Sequence, residues 1–378
     1  MKIGIEVQRL FRKKKHGMDI VALELIRNLQ RLDLENEYFI FVKDDVDDSV
    51  IRETANFHIV RIKGGPYPYW EQVLLPAALK KHPVEVLHCT SNTAPLNPGV
   101  PMVITLHDII YLEQTNLTKG SWYQIFGNLY RRWNVPKVVN KARRLITVSE
   151  FENRNINTYF KFPGNKVVTV HNAAGKQFRK ISDAATLNQI RQKYSLPDDY
   201  VFYLGNTDPR KNLVGVMKAL SILKKRNQLS FRLQMLDMDR AYLRSVAESV
   251  GDVSVLDHIA FCGYVPEEDL PAIYSMAKLF LYPSLREGFG IPILEAMQCE
   301  VPVITSTTSS MPEVAGDAAV LIDPARPDAL ADAIENTLRD DALRSRLIRD
   351  GLSRATAFSW EKSAMQVRSL YKEILENG

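Results

Sequence analysis

The chain alternates short apolar segments with segments of helical periodicity, and this alternation constrains its fold more than any other sequence feature. It is typical of βα units, whose parallel strands pair in one sheet and whose helices cover the faces of that sheet. Two series of such units occur, separated by a polar stretch at 171–199 with Pro197 near its end. We therefore predict two successive α/β domains, which the length of 378 residues also favours.

Each series contains its own set of strands and helices. The clearest helix has apolar residues at helical spacing from Met18 to Leu32, which predicts one buried stripe. The second series ends in a helical tail that begins at Pro327 and contains no further strand candidate. The predicted strands are 3–7, 38–42, 57–62, 86–89, 103–106, 145–148 and 167–170 in the first series, and 200–204, 231–236, 258–262, 279–282 and 303–305 in the second.

The formal net charge of +5 conceals a difference between the two halves of the chain. Residues 1–180 carry 27 Lys and Arg against 17 Asp and Glu, whereas the rest carries 22 against 27. A basic half is typical of proteins that bind a nucleic acid, a phosphorylated substrate or an acidic membrane surface. The alternative is that the basic residues only form a solvated helix face and bind no partner. No nucleic-acid recognition motif accompanies the charge, so we expect no nucleic-acid partner.

The sequence predicts a cytoplasmic location. Glu6 and Arg9 interrupt the N-terminal segment where a signal peptide needs its apolar region. No run of about 18 uncharged apolar residues, the length needed to span a membrane, occurs in the sequence. The three cysteines are scattered and lack the spacing of a metal or redox site. We expect a cytoplasmic protein whose basic half is a candidate for peripheral attachment to the inner face of the membrane.

A glycine-containing loop between a predicted strand and a predicted helix is the most informative motif. The strand ends at Tyr282, Gly288 and Gly290 flank Phe289, and Pro292 stands where the first helical turn begins. Free backbone N–H groups at a helix start, together with close backbone approach at glycine, suit a phosphate group. The motif therefore predicts an anion-binding site. It lacks the third glycine of the dinucleotide fingerprint, which argues against a dehydrogenase.

Two glutamates accompany this loop. Glu287 lies within it, and we expect Glu295 to lie in the first turn of the following helix. Because a carboxylate does not bind a phosphate, hydrogen bonding to sugar hydroxyls is the role that this residue type favours. The alternative for each glutamate is a solvated surface charge, with Glu295 stabilised by the helix dipole.

A second candidate anion-binding segment follows the predicted strand that ends at Leu204. Gly205 and Asn206 begin a turn there, and Arg210 and Lys211 stand at the expected start of the next helix. Arg can hold a phosphate with two parallel hydrogen bonds, and Lys supplies a point charge. Cations in the first turn of a helix oppose its dipole, which favours a functional role over a structural one.

In the N-terminal half, His107 follows a buried strand and should stand at its carboxyl end, where parallel sheets bind ligands. The alternative is a structural histidine. We expect Asp108 to cap a turn and Ser149 to cap the helix that follows it. Gly17 and Met18 begin the first long helix.

Taken together, these motifs resemble those of the retaining nucleotide-sugar glycosyltransferases of family 4, which have the GT-B fold. Glu287 and Glu295 match the E-x7-E pair of that family, and the runs at 261–265, 277–283, 302–304, 309–314 and 316–319 match its flanking sequence. The resemblance is strong over about residues 200–340 and extends more loosely to both termini.

The resemblance implies a fold and a division of labour. Two Rossmann-like α/β domains would face each other across a central cleft. Residues 1–175 would form the acceptor-binding domain and 176–359 the donor-binding domain, and a C-terminal helix at about 360–378 would return to the first domain. The activity would be transfer of a hexosyl group from a nucleoside diphosphate sugar to a glycan or lipid-linked acceptor, in polysaccharide biosynthesis.

The resemblance also implies residue roles. Glu287 would bind the donor sugar, Glu295 the ribose, and Arg210 and Lys211 the diphosphate, while His107 would approach the donor sugar. The predicted catalytic groups are His107, Glu287, Lys211 and Arg210. The full predicted donor set is Gly205, Asn206, Arg210, Lys211, Tyr264, Glu287, Gly288, Phe289, Gly290, Ile291 and Glu295.

Two positions depart from the family pattern. Asn206 stands where many members carry a further Arg, so Arg210 and Lys211 would screen most of the donor charge. The family has a glycine-rich loop near the donor phosphate and the acceptor, whereas this chain has the single Gly17, followed by Met18.

We predict neither a bound metal nor a cofactor apart from the nucleotide sugar, which is a substrate. Two D-x-D strings, at 45–47 and 237–239, resemble metal-binding pairs of other glycosyltransferases, but the first lies in an acidic surface run and the second precedes a helix that it can cap. The alternative functions are a nucleotide-sugar epimerase with the same fold, a non-catalytic partner subunit, and a two-lobed binding protein.

Overall fold

The computed structural model describes residues 1–15, 17–113, 122–162 and 164–376, except for the side chains of 122–124. The chain forms two compact units, of which the first comprises Met1–Asn172 with Trp360–Gly378 and the second Ala173–Ser359. The C-terminal helix therefore belongs to the first unit. Among the described residues, no helix is both long and apolar enough to cross a membrane.

Unit 1 contains a seven-stranded parallel sheet with the strand order β3-β2-β1-β4-β5-β6-β7. The order reverses between β1 and β4, and ligands of such sheets bind outside the carboxyl ends of the strands at the reversal point. The strands are β1 (Lys2–Glu6), β2 (Glu37–Lys43), β3 (Phe57–Ile62), β4 (Val86–Cys89), β5 (Met102–Thr105), β6 (Arg144–Thr147) and β7 (Val167–Thr169).

Amphipathic helices cover the sheet of unit 1. Apolar residues of the first helix, among them Ile26 and Leu29, pack in one core with Val367 and Leu370 of the C-terminal helix. The helices are α1 (Gly17–Leu32), α2 (Tyr67–Tyr69), α3 (Leu75–Lys81), α4 (Ile110–Glu113), α5 (Trp122–Lys141), α6 (Glu150–Phe160) and the C-terminal α15 (Trp360–Glu376), and a π-helical segment (Trp70–Leu74) joins α2 to α3.

Unit 2 contains a six-stranded parallel sheet with the order β10-β9-β8-β11-β12-β13. Its reversal point lies between β8 and β11. The strands are β8 (Tyr200–Tyr203), β9 (Arg232–Met235), β10 (Ile259–Phe261), β11 (Leu279–Tyr282), β12 (Val303–Ser306) and β13 (Val320–Ile322), and the helices are α7 (Ala184–Tyr194), α8 (Leu213–Lys225), α9 (Arg240–Val250), α10 (Leu270–Met276), α11 (Ile291–Gln298), α12 (Met311–Ala315), α13 (Pro327–Arg339) and α14 (Asp341–Ala355).

The predicted α/β class and the twelve predicted strands are confirmed, with boundaries that shift by one or two residues. The elements that were not predicted include a strand and a helix. Strand β13 is a three-residue edge strand, too short to show an alternating pattern. Helix α7 lies within the polar stretch at 171–199. The sequence does not predict this helix, because only Ile190 and Tyr194 of its residues are buried and its apolar periodicity is therefore weak.

Candidate functional site

The two predicted anion-binding segments meet at the reversal point of unit 2. One follows β8 and the other follows β11, and these strands are hydrogen-bonded neighbours. The Leu285 amide donates to the Arg210 carbonyl oxygen at 2.7 Å, and the Asn212 side-chain amide donates to the Pro283 carbonyl oxygen at 3.1 Å. The fold thus combines two segments that are distant in sequence into one site.

Lys211 lies at the centre of this site. Its ammonium donates to Glu287 Oε1 at 2.7 Å and to the Tyr282 hydroxyl at 2.9 Å. Burial lowers the pKa of the Lys211 ammonium, but Tyr282 and Glu287 outweigh that effect and hold the pKa above its usual value. Lys211 is therefore cationic. Its two hydrogen-bond acceptors, a carboxylate oxygen and a hydroxyl oxygen, are of the same chemical kind as the oxygens of a ligand.

Arg210 contacts a neighbour in its own loop. Its guanidinium donates to both carboxylate oxygens of Asp208, from Nε at 3.1 and 3.0 Å. Burial raises the pKa of Asp208, but the hydrogen bonds and charge of Arg210 outweigh it, so the pKa is lowered. The Asp208 carboxylate therefore orients the Arg210 guanidinium. A phosphate could replace this carboxylate as the hydrogen-bond partner of Arg210.

The expected position of these cations in a helical first turn is wrong. Arg210 and Lys211 lie in a separate short 3₁₀ turn, Pro209–Lys211, and Asn212 follows with φ of 62°. The Asn212 side chain accepts from the Gly215 amide at 3.2 Å and caps α8, which begins only at Leu213. The argument from an opposing helix dipole therefore does not apply to these residues.

Gly205 and Asn206 shape the turn after β8. A Cβ atom at Gly205 would lie 2.3 Å from the Tyr203 ring, so only glycine fits there. The Tyr203 hydroxyl in turn donates to the Lys211 carbonyl oxygen at 2.8 Å. Asn206 Oδ1 accepts from the Asp208 amide at 2.8 Å, so Asn206 stabilises the turn.

Serine side chains hold the loop that carries Glu287. The Glu287 amide donates to Ser309 Oγ at 3.0 Å, and Ser310 Oγ donates to the Phe289 carbonyl oxygen at 2.7 Å. The Phe289 ring is buried edge-to-face against Phe358. In the sequence, Ser309 and Ser310 belong only to a matching run, and nothing in their spacing indicates that they fix this loop.

The loop ends at the start of α11. Gly290 has φ of 111° and precedes Ile291, the first helical residue, while Gly288 lies earlier in the loop and is partly buried. The left-handed backbone of Gly290 directs the chain towards the first turn of α11. Residues other than glycine adopt this conformation only at a cost in free energy. Tyr264, the remaining predicted donor residue, is 64% exposed on the segment after β10.

Glu295 does not lie in the first turn of its helix, contrary to expectation. Helix α11 spans Ile291–Gln298, so Glu295 is in its second turn, and the Tyr274 hydroxyl donates to its Oε2 at 3.0 Å. Burial raises the pKa of Glu295 to about 8, and the charge of Glu267 adds to the effect. The carboxyl group is therefore largely protonated at neutral pH.

His107 follows β5 and is buried in unit 1. Its backbone amide donates to Asn92 Oδ1 at 2.7 Å, and its ring Nε2 lies 2.9 Å from the Thr90 carbonyl oxygen. Burial lowers the pKa of the ring and outweighs the opposing effects of the Thr90 carbonyl, Asp108 and Asp19. His107 is therefore neutral at pH 7.

Asp19 lies in the first turn of α1, and its charge acts to raise the pKa of the His107 ring. Gly17 is the first residue of this helix and Met18 the second, as predicted. A Cβ atom at Gly17 would have no neighbour within 4 Å, so packing does not require glycine at this position.

Two predicted caps are confirmed, since Asp108 accepts from the Ile110 amide at 3.1 Å and Ser149 accepts from the Glu152 amide and caps α6. In the second D-x-D string the expected cap was Asp237, but Asp239 accepts from the Tyr242 amide and caps α9. The second D-x-D string is thus a helix cap. Across the described ranges, no three His, Cys, Asp or Glu residues form a group able to hold a metal ion.

A buried carboxylate cluster in unit 1 was missed. Glu6 ends β1 and Glu71 lies in the π-helical segment, and both are fully buried. Hydroxyl groups of Tyr67 and Tyr130 donate to Glu71, at 2.9 and 2.5 Å. Burial and the charge of Glu71 raise the pKa of Glu6 to about 8. No periodic pattern marks this cluster, since its members come from distant segments.

Both units match known sequence families. The family model described as "Glycosyltransferase Family 4" matches residues 16–174, and the model described as "Glycosyl transferases group 1" matches residues 188–354. The first match lies in unit 1 except for its last two residues, the second lies in unit 2, and together they cover most of the chain.

Curated relatives include mannosyltransferases. The chain is 36% identical over 245 residues to the Escherichia coli "O-antigen chain mannosyltransferase B", a match that covers 64% of each protein. It is 30% identical over 244 residues to the "Serotype-specific mannosyltransferase WbdA" of Escherichia coli, covering 63% of this chain and 29% of that protein. The chain therefore spans less than two thirds of the length of either relative.

Solved structures share the fold of the whole chain. The sucrose-phosphate synthase of Thermosynechococcus elongatus superposes with a TM-score of 0.75 at 20% identity and full coverage of both chains. The Anabaena protein HepE, solved in complex with UDP and glucose, superposes with a TM-score of 0.72 at 18% identity, covering 98% of this chain and 99% of the other. The shared architecture is the two-domain, Rossmann-like GT-B fold.

Proposed function

Since the chain belongs to the family 4 glycosyltransferases, we propose that it transfers a hexosyl group from a nucleoside diphosphate sugar to a glycan or lipid-linked acceptor. We propose that the transfer retains the configuration at the anomeric carbon and serves the synthesis of a polysaccharide. The O-antigen mannosyltransferases among its relatives support the polysaccharide role. Unit 2 would bind the donor and unit 1 the acceptor.

The observation that supports this proposal most strongly is the convergence of Arg210, Lys211 and Glu287 at the reversal point of unit 2. The two cations suit a diphosphate, and the carboxylate suits the hydroxyls of the sugar attached to it. Glu295, on the helix after the same loop, would accept hydrogen bonds from the ribose. A nucleoside diphosphate sugar carries these three groups in one molecule.

The proposed reaction exchanges one bond at the anomeric carbon for another. The bond to the diphosphate oxygen breaks, a bond to the acceptor oxygen forms on the same face of the sugar, and the acceptor proton passes to the departing phosphate. The protein contributes orientation and stabilisation of the charge that develops on the diphosphate. Lys211 and Arg210 would supply that stabilisation by exchanging their present carboxylate partners for phosphate oxygens.

We also propose that the reaction needs no metal ion. A divalent cation in a glycosyltransferase neutralises the leaving diphosphate, and the side chains of Arg210 and Lys211 together with the N-terminal end of α11 can do the same. The carboxylates nearest these cations, Asp208 and Glu287, hold them in place by hydrogen bonds.

The excess of Lys and Arg in the N-terminal half is part of the proposal about the acceptor. The proposed donor site lies in the net-negative half of the chain, so the diphosphate would not account for the surplus. We propose that the surplus faces a phosphorylated lipid carrier or the anionic membrane that contains it, at the inner face of the cytoplasmic membrane. Each Lys or Arg near such a surface contributes about 1 kcal/mol, and the attraction weakens as salt rises.

A ligand panel tests the donor assignment. Nucleoside mono- and diphosphates and the common nucleoside diphosphate sugars would be compared by thermal stabilisation, since a ligand that binds the native state raises the unfolding temperature. We expect one nucleoside diphosphate and its sugar conjugates to stabilise the protein, and the monophosphate to do so far less. Equal stabilisation by mono- and diphosphate, or none by any member, would contradict the assignment.

A further inference from the structure

Arg9 lies in the turn that follows β1, at the reversal point of unit 1. The Leu10 amide donates to the Val7 carbonyl oxygen at 3.0 Å and closes this turn. Glu6 ends β1 and Thr90 directly follows β4, and the Thr90 hydroxyl donates to the Glu6 carbonyl oxygen at 2.9 Å. The turn therefore stands at the carboxyl ends of β1 and β4, the edge at which parallel sheets bind ligands.

The guanidinium of Arg9 contacts an aromatic ring. Its Cζ lies 4.8 Å from the centroid of the Tyr67 ring, which is a cation–π distance. Nε of Arg9 is buried, yet none of the residues that the structure describes accepts a hydrogen bond from this guanidinium or forms an ion pair with it. A guanidinium carries five N–H donors in one plane, and stacking on a ring leaves the edge of that plane available to oxygen atoms.

The Tyr67 ring is itself held in place by two neighbours. Its hydroxyl donates to Glu71 Oε1 at 2.9 Å, and its ring packs edge-to-face against the Tyr130 ring with the centroids 5.7 Å apart. The surface under the Arg9 guanidinium is therefore set before a ligand binds. Such preorganisation lowers the entropic cost of binding.

Glu6, three residues before Arg9, is the nearest carboxyl group in sequence but does not pair with it. Four side chains donate hydrogen bonds to Glu71, those of Tyr67, Gln72, Thr93 and Tyr130. The Glu6 side chain accepts from the Gln8 amide at 3.0 Å, and its Oε2 is buried without a hydrogen-bond partner in the described part of the chain. Fewer donors stabilise the anionic form of Glu6 than that of Glu71, so the proton of the pair lies on Glu6. A neutral Glu6 leaves the positive charge of Arg9 to a ligand.

From this geometry we propose that Arg9 binds an oxyanion, a phosphate or a carboxylate group, at the reversal point of unit 1. The guanidinium holds two oxygens of that group with parallel hydrogen bonds, as arginine does with both kinds of anion. The proposal deepens the proposed function and rests on it for one point, that the oxyanion belongs to the acceptor. A diphosphate-linked lipid and an acidic sugar are the two acceptor classes that carry such a group.

Nitrogen NMR of the full chain with ¹⁵N-labelled arginine tests the site without turnover. The Arg9 Nε–H signal is assigned by its absence in Arg9→Gln. The control is Arg27, an exposed arginine of α1 that pairs with Glu24 at 2.9 Å, and its signal is assigned in the same way from Arg27→Gln. The probes are dimethyl phosphate and acetate, both monoanions at neutral pH, and chloride at equal ionic strength is the reference.

We expect at least one probe to shift the Arg9 signal saturably, beyond the effect of chloride, while the Arg27 signal follows chloride alone. The probe that saturates the shift at the lower concentration identifies the group, dimethyl phosphate for a phosphate and acetate for a carboxylate. An Arg9 signal that neither probe shifts further than chloride does, or that shifts only in parallel with the Arg27 signal, would overturn the proposal.

Kinetics test whether the oxyanion belongs to the acceptor. The acceptor glycan would be supplied with and without the group that the probes identify, which is a diphosphate-linked lipid or a uronic acid residue. We expect Arg9→Gln to raise the KM of the charged acceptor at least about tenfold, the loss of a charge-assisted hydrogen bond, and that of the neutral acceptor far less. Arg27→Gln should change neither KM.

Equal effects of Arg9→Gln on the two acceptors, or no effect on either, would show that the oxyanion is not part of the acceptor. The binding and kinetic results also separate this proposal from the proposed function. If a probe saturates the Arg9 signal but no nucleotide sugar is turned over with any acceptor, the proposed function fails and the oxyanion site stands.

Discussion

Lys211 and Glu287 form an ion pair with an N–O distance of 2.7 Å between two loops that are 76 residues apart in sequence. Both side chains are mostly buried, so water screens the pair less than it would at the surface. The pair joins the residue predicted to bind the diphosphate to the residue predicted to bind the sugar.

The first prediction concerns Lys211. Lys211→Ala should weaken the binding of a nucleoside diphosphate by roughly 10- to 100-fold, because a charge-assisted hydrogen bond contributes about 1.5–3 kcal/mol. Titration calorimetry measures the change. The control is Lys218→Ala, which removes an exposed lysine of α8 from the same unit. Equal affinities in the two variants would exclude Lys211 from the diphosphate site.

The second prediction separates the sugar from the diphosphate. Glu287→Gln should reduce kcat/KM for the nucleoside diphosphate sugar at least about tenfold while leaving the affinity for the free nucleoside diphosphate unchanged or higher. The affinity should not fall because Lys211, released from its carboxylate partner, becomes available to phosphate. A parallel loss of kcat/KM and of affinity for the free nucleoside diphosphate would show that Glu287 stabilises the loop and does not bind the sugar.

The third prediction concerns the pH dependence of donor binding. Glu295 has a pKa of about 8 and must lose its proton to accept hydrogen bonds from the ribose as a carboxylate. Affinity for a nucleoside diphosphate sugar should therefore rise between pH 6 and 8, by up to about tenfold per pH unit, with release of a proton. The donor sugar's diphosphate has no group that titrates in this range.

Calorimetry in buffers of different ionisation enthalpy counts the released proton directly. Glu295→Gln, which stays neutral at every pH, should bind with an affinity that does not vary over this range. A wild-type affinity that is equally flat would show that the ribose does not need the carboxylate form of Glu295.

The fourth prediction concerns stability. The pKa of Glu6 is about 8 in the folded protein against a usual value of 4.5, so between these values the folded state holds a proton that the unfolded state lacks. The free energy of unfolding should therefore fall as pH rises through this window, by up to about 1.4 kcal/mol per pH unit. Below pH 4.5 the contribution is fully present, and it is lost by about pH 8.

Glu6→Gln should remove this dependence, because the amide imitates the protonated carboxyl and can still accept from the Gln8 amide. The variant should match the wild type near pH 5 and exceed it in unfolding temperature at pH 8. The exposed Glu53→Gln provides the control. If both variants follow the wild-type curve, Glu6 does not carry the buried proton.

The sequence predicts the sheets of this protein well because buried parallel strands are uniform apolar runs, and nearly all of them are long enough to recognise. It also locates the loops at the reversal point of unit 2, since glycine and charged residues occur in the loops after β8 and β11. It does not predict that Glu287 holds Lys211, because pairing across loops depends on strand order.

Other parts of the sites leave no local signal. The role of Gly205 depends on the Tyr203 ring, which folds back onto the turn at a distance of 2.3 Å from a Cβ position. Asn92 and His107 come together only because β4 and β5 are neighbours. Helix periodicity predicts α11 but not its first residue. The sequence therefore predicts Glu295 in the first turn of α11, whereas it lies in the second.

The central claim is that the protein is a metal-independent, retaining hexosyltransferase, and proton NMR of the reaction tests it most directly. The preferred nucleoside diphosphate sugar and a glycan or lipid-linked acceptor would be incubated with the wild-type chain in excess EDTA, and the anomeric proton followed. We predict release of nucleoside diphosphate and a new glycosidic signal with the anomeric configuration of the donor. An inverted anomer, an isomerised sugar nucleotide without transfer, or loss of turnover in EDTA would contradict the account.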